Sequence, residues 1–268
     1  MSKVLRALLT LLLAVLVAFP LVYAVSASFF SPVDFTGKTA RFLPSSISFT
    51  NYSLALNNKW YPRYVLNSLV TASITCLMRL LVTTLAAFAF THLRFRGRKA
   101  LLLVLLSTMF VPSEALLYEN YLTIARLGLM NTYAAIALPS VFSAATLLLL
   151  IGFFQGMDKE LYDAAKVDGS SDLRYLTSIL LPLSMPVMLT LALQAFITSF
   201  NSYLWPLLVT TKPKMRTVQV GISMLGFAES ADYGAQYAAI LLITLPFLVL
   251  LGLGKELMTK NLRLREET

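Results

Sequence analysis

Six stretches of this chain stay apolar long enough to cross a lipid bilayer: Ala7–Phe30, Leu66–His92, Ala100–Leu117, Tyr133–Phe154, Leu183–Val209 and Tyr237–Gly254. A membrane-crossing helix needs about 17 to 25 such residues. Hydrocarbon offers no hydrogen bonds, so a backbone inside it must pair with itself, which a helix does within one segment. The expected fold is therefore all-α, a polytopic membrane protein of about six transmembrane helices. Composition closes the soluble alternative. Charged residues make up 13% of the chain and hydrophobic ones 57%, against about 25% charged in an ordinary globular domain. Too little polar surface exists to clothe a water-facing fold.

The net charge of +9 raises the question of nucleic acid, but the 22 Lys and Arg are spread through short connections between apolar runs rather than along one stripe. That distribution is one of membrane topology, so no nucleic-acid partner is expected. Thirteen basic residues fall on one side, including Lys3, Arg6, the cluster Arg94, Arg96, Arg98 and Lys99, and Lys255 to Arg265; eight fall on the other. The side richer in basic residues faces the cytoplasm, which places both termini there. Residues 1–62 read as a first span with an extracytoplasmic loop, and 63–268 as the core. The first apolar run is expected to be an uncleaved span rather than a signal peptide cut near Val25-Ser26-Ala27. Arg79 lies inside the second run, where a long tilted helix would let it snorkel to the headgroups; a gating or coupling role is the alternative.

Chemistry-bearing residues are few. A membrane enzyme would need His, Cys or acids gathered near the interface, yet His92 and Cys76 are the single histidine and cysteine. His92 is expected at headgroup level. An ion-coupled transporter would place carboxylates within its spans; the acids here sit in or near loops, with Glu114 and Glu119 closest to a span. No Gly-x-x-x-x-Gly-Lys-Ser/Thr phosphate loop is present, since Gly254-Lys255 is followed by Glu and lacks the upstream glycine.

The most informative stretch is residues 158–182. Asp158 is placed to cap a helix that carries Glu160 in its first turn. Leu161, Ala164, Ala165 and Asp168 recur at helical spacing. Gly169 would end the helix in the left-handed conformation, Ser170 or Ser171 would cap a second, and Pro182 would limit that one as the next span begins. Helix, glycine and helix joined to a span form a docking element, with Ala164 and Ala165 offering a small-side-chain face.

This order resembles the cytoplasmic signature of permease subunits of ATP-binding cassette importers: Glu-Ala-Ala, three residues, Gly, nine residues, Ile-x-Leu-Pro. Here Asp163-Ala164-Ala165 is followed at the same spacings by Gly169 and by Ile179-Leu180-Leu181-Pro182, with Asp163 in place of Glu as the one departure. Asn67-Ser68-Leu69, Leu127-Gly128-Leu129-Met130-Asn131-Thr132-Tyr133 and Asn201-Ser202-Tyr203-Leu204-Trp205-Pro206-Leu207 are similar to the carbohydrate branch, of maltose and glycerol-3-phosphate type.

The resemblance implies the type I importer transmembrane fold in a bacterial-type inner membrane. It further implies a homologous second permease, two ATP-binding subunits that carry ATP and Mg, and an extracytoplasmic solute-binding protein; this chain would bind no cofactor or metal. Asp163, Ala164, Ala165, Gly169, Ile179, Leu181 and Pro182 would couple to the ATP-binding subunit. In the fifth run Gln194, Thr198, Asn201 and Ser202 share a helical face, with Tyr203 and Trp205 close by. Their hydroxyls, amides and rings suit a sugar or polyol path, or else bond to a neighbouring helix. A phosphorylated polyol is the second candidate; it would want a fixed cation that this run lacks.

Overall fold

The computed structural model describes residues 3–36, 41–226 and 233–245, all helix, turn or irregular chain. The described parts of residues 1–61 and 220–268 form one unit, and Pro62–Gln219 the other.

In the first unit, α1 (Lys3–Ala27) is a long apolar helix whose only buried residue is Ala27. It is followed by the short α2 (Pro32–Thr36) and α3 (Thr50–Asn57). The chain folds back here because Asn51, buried, donates from its amide to the carbonyls of Ser28 and Phe30, both at 2.8 Å. Gly234, in α14 (Tyr233–Leu245), lies so close to the Asn51 amide that a Cβ would collide with it. Tyr61 adds a bond from its hydroxyl to the Ala239 carbonyl at 3.2 Å. These contacts group α14 with the N-terminal segment instead of with the residues from 63 onward. Of the sixth apolar run, the part beyond Leu245 lies outside the described residues.

Asp34 organises the connection after α1. Its carboxylate accepts from the Ser31 N–H at 2.9 Å and from the hydroxyls of Ser31 and Ser45 at 2.8 and 3.0 Å, with Arg41 at 3.2 Å. The Ser31 N–H foremost, then the hydroxyls, hold its pKa at about 2, below the ordinary 3.8. A carboxyl depressed in the folded chain stabilises it fully above its ordinary value, and that contribution disappears as pH falls from about 4 to about 2. Protection of the Ser31 and Ser45 amides, taken relative to an unfolded chain at the same pH, is therefore expected to fall across that window, and to lose this dependence in Asp34→Asn.

The second unit opens, from Pro62, with α4 (Tyr61–His92), at 32 residues the longest helix among the described residues. The next two apolar runs are broken, not straight. α5 (Arg98–Ser107) continues through a single tight turn to Phe110, and then Val111 and Pro112 interrupt it. The chain resumes at Ser113, bent by 98°, into α6 (Leu117–Arg126). Proline at 112 supplies the break: it has no N–H to give and pushes Val111 out of the helical region. The run expected over Tyr133–Phe154 is likewise two pieces at 53°, α7 (Tyr133–Ala137) with a tight turn to Ser140, and α8 (Ala144–Gln155). Ser143 caps α8 by accepting from the Thr146 N–H at 3.3 Å.

After α9 (Lys159–Val167), the helix that opens as α10 (Asp172–Tyr175) passes through a wide π-turn at Leu176–Leu180 and continues as α11 (Leu181–Phe200). Pro182 therefore does not end the second helix of the elbow. The wide turn immediately before it makes room for the ring and for the carbonyl that the missing N–H leaves unpaired. The run expected to reach Val209 stops instead at Phe200, and α12 (Leu204–Val209) follows after a break at Asn201–Tyr203. The short helix expected over 218–225 is present as α13 (Val218–Gly226). Among the described residues three helices are long and apolar enough to cross a membrane, or up to five if each bent pair is one span.

Candidate functional site: a helical elbow and a mixed cavity

The elbow is built by its glycine. The α9 helix ends with Gly169 at φ +76°, where the Ser170 N–H bonds the Ala165 carbonyl at 2.9 Å and the Gly169 N–H bonds Lys166 at 3.0 Å. These two bonds close the helix end and turn the chain sharply. Ser171, rather than Ser170, caps the next helix by accepting from the Arg174 N–H at 3.3 Å. Asp158 stands at the first cap position, but its side chain makes no capping bond.

The two arms are fastened across the turn. The Tyr162 hydroxyl donates to Asp172 Oδ1 at 2.6 Å, and Lys166 Nζ reaches the same oxygen at 2.6 Å. The Asp172 carboxylate beside it raises the Lys166 pKa; burial, then the bond to Asp172, raises that of Tyr162. Beneath lies a cluster of rings. His92 stacks on Phe88 at 4.9 Å and meets Tyr162 at 5.0 Å and Tyr175 at 5.4 Å, while Tyr162 and Tyr175 meet edge to face at 4.9 Å. His92, the last residue of α4, is thus packed among aromatic side chains. The spacing of Phe88 and His92, one helical turn apart, was the available signal.

The signature residues separate into two groups. Ala165 is buried, and Ile179 and Leu181 pack against the same core. Asp163, Ala164, Gly169 and Pro182 are exposed. The two alanines therefore do not form one docking face: consecutive positions on a helix point about 100° apart. Outward, the stripe is Leu161, Ala164 and Val167, the last 88% exposed.

The breaks described above border a cavity of about 370 Å³, whose polar lining is Ser113, Glu114, Asn120, Ser140, Ser202 and Tyr203, with Leu116, Leu117, Pro139, Leu204 and Trp205 as its apolar part. Ser202, Tyr203 and Trp205 from the expected path are here. Gln194, Thr198 and Asn201 are exposed along α11 but do not line it; Asn201 Oδ1 accepts from Gln219 Nε2 at 3.3 Å. Trp205 is buried among Ile124, Ala135, Ile136 and Val209, and its indole N–H donates to the Ala135 carbonyl at 3.0 Å. Its polar edge is thereby committed to the chain itself. Glu114 and Ser140 were not expected at the cavity. Pro112 and Pro139, which mark the bends, are the sequence signal for them.

The other motifs prove to be staples. Asn131, at φ +62°, accepts from the Lys212 N–H at 2.8 Å and donates its own N–H to Val209 at 3.0 Å. Thr132 caps α7, and the Tyr133 hydroxyl donates to Asn67 Oδ1 at 2.8 Å. The Asn67 amide in turn donates to the carbonyls of Lys214 and Arg216 at 3.0 and 2.9 Å, and Ser68 accepts from the Val218 N–H at 2.8 Å. Together they tie α4 and α7 to the connection after α12.

Residues 76–263 match the family described as the binding-protein-dependent transport system inner membrane component. The trehalose/maltose transport system permease protein MalG of Thermococcus litoralis is 31% identical over 93% of this chain and 91% of its own length. The sn-glycerol-3-phosphate transport system permease protein UgpE of Agrobacterium fabrum is 32% identical over 86% and 84%. A chain in the crystal structure of a bacterial ABC transporter involved in import of the acidic polysaccharide alginate shares the fold, with a TM-score of 0.81 over 96% of this chain and 98% of that one at 21% identity. The helical elbow, the broken spans and these matches converge: the chain belongs to the family of inner membrane components of binding-protein-dependent transport systems.

Proposed function

We propose that this permease forms one half of the path of an ATP-driven importer for a neutral sugar or related polyol, with a homologous permease as the other half. The observation that carries the reading is mechanical. The elbow's exposed stripe is fastened to one continuous helix, Asp172–Phe200, 29 residues or about 43 Å long at 1.5 Å per residue. That helix ends at Asn201, next to the cavity residues Ser202 and Tyr203. A partner that grips Leu161, Ala164 and Val167 from the cytoplasm can therefore tilt the cavity wall, a rigid-element motion of the kind that alternating access uses. Two ATP-binding subunits would supply the stroke and hold ATP and Mg, and a solute-binding protein outside would deliver cargo. In support, this chain has no phosphate loop of its own: Gly37-Lys38-Thr39 has Pro32 where the upstream glycine belongs.

The cavity lining favours a neutral polyhydroxyl cargo. It offers hydroxyls, an amide and the Glu114 carboxylate, and no Lys or Arg. A phosphorylated polyol is the second reading, favoured by the names of the UgpE relatives. The test is uptake by the assembled complex in proteoliposomes. ATP-dependent uptake of a labelled disaccharide, lowered at least fivefold by Tyr203→Ala and Ser202→Val with assembly intact, is expected. Uptake of sn-glycerol-3-phosphate in preference to any neutral sugar would replace the first cargo with the second. Transport with no ATP-binding subunit present would overturn the importer reading itself.

A further inference from the structure

We propose that Arg79 is a positioning residue that fixes the wall of the cavity. The proposal rests on the reading of that cavity as the cargo path. Arg79 sits inside the long apolar helix α4 and is half-buried. Its Nε donates sideways to the Ser140 carbonyl at 2.8 Å, which holds the side chain against the bent fourth run. Among the described residues the ion pairs are Arg41–Asp34 and Lys166–Asp172, and neither includes it. An arginine in this setting is costly unless it has work that a neutral side chain does worse.

The bend between α7 and α8 supplies that work. A regular helix would return the Ser140 carbonyl to the N–H of Ala144, but α8 starts afresh at Ala144 under its own cap, Ser143. The Ser140 carbonyl is therefore released at a half-buried position on the cavity wall, where an acceptor left without a partner is unfavourable. It also stands at the carbonyl, negative, end of a helical segment, which suits a cation. Ser140 and its neighbour Pro139 line the cavity. One turn earlier on α4, the Cys76 thiol donates to the Ala192 carbonyl of α11 at 3.3 Å. The same stretch of α4 thus touches both walls: the bent fourth run through Arg79, and the helix that ends at Asn201 through Cys76. Arg79 keeps the first wall in place while the second moves.

The test uses the assembled complex in proteoliposomes, with Ser140→Cys placed in a Cys76→Ala chain and a membrane-impermeant maleimide as probe. The Ser140 carbonyl survives that change. With Arg79 present, residue 140 is expected to label steadily. In Arg79→Met the labelling rate should change at least fivefold and ATP-driven uptake fall at least tenfold, while the ATP-binding subunits still co-purify. Arg79→Lys should restore labelling to within twofold. If Arg79→Met does not assemble, Arg79→Gln decides, with at least a threefold change in labelling expected from its shorter reach. Labelling independent of residue 79 overturns the positioning role and leaves the cargo path standing. No labelling at residue 140 in the parent chain brings down the path and this proposal together.

Discussion

Gly169→Val is expected to abolish ATP-driven uptake, by at least tenfold in proteoliposomes, while the permease still inserts and its long helices still form. The reason is backbone conformation, not space. A Cβ at position 169 would meet nothing within 4 Å, but φ is +76°, a region that costs an L-residue about 1–2 kcal/mol and a β-branched one more. The chain can escape only by giving up the bonds from Ser170 to Ala165 and from Gly169 to Lys166. Without them α9 is no longer held at a fixed angle to the helix that starts at Asp172, so force on the stripe of Leu161, Ala164 and Val167 is dissipated in the turn. ATP hydrolysis by the complex would then continue without transport, or the subunits would fail to co-purify. Gly169→Asn is the control, because asparagine tolerates this conformation; it should keep most of the uptake. Full uptake in Gly169→Val would show that the turn does not transmit.

The second large effect concerns Trp205. From the sequence it is a candidate to stack on cargo, and its removal would alter uptake alone. The structure changes that expectation. Trp205 is 9% exposed, and its N–H satisfies a buried carbonyl. Truncating such a side chain costs about 3–5 kcal/mol, and stranding the Ala135 acceptor adds about 1–3 kcal/mol. Trp205→Ala should therefore lower the yield of folded complex and its unfolding midpoint in detergent. Trp205→Phe keeps most of the buried ring and loses only the bond, so it should be markedly milder. A fully stable Trp205→Ala chain with altered uptake would return the residue to the cargo.

Much of this was legible in the sequence. The apolar runs announce the fold class because hydrocarbon forbids most alternatives, and the helix–Gly169–Ser171–helix order is local chemistry that short-range rules capture. The breaks were harder. Pro112 and Pro139 lie inside runs whose hydropathy hardly falters, and a window that averages hydropathy cannot see a lost N–H. Treating 183–209 as one helix put Trp205 on the same face as Thr198 and Asn201; the interruption at 201–203 removes it. The pairing of Ala164 and Ala165 as one surface failed for a different reason. Both are small and apolar, so only the packed core distinguishes the inward residue from the outward one. The partners of Arg79 and His92, Ser140 and Tyr162, were out of reach of the sequence because they are distant in it, and no periodicity connects them.

The wide turn at Leu176–Leu180 has a geometric effect of its own. In an ordinary α-helix, residues four apart drift about 40° around the axis at every step, because four residues exceed one turn of 3.6. The buried positions Leu176, Leu180 and Ser184 are spaced by four, and on a regular helix their seam would spiral away from the neighbours it packs on. Widening the turn takes up that surplus, so the row from Leu176 to Ser184 stays nearly parallel to the axis. Under the proposed mechanism, a push on the elbow would meet a straight seam here and would tilt the helix as one piece instead of winding it about its axis.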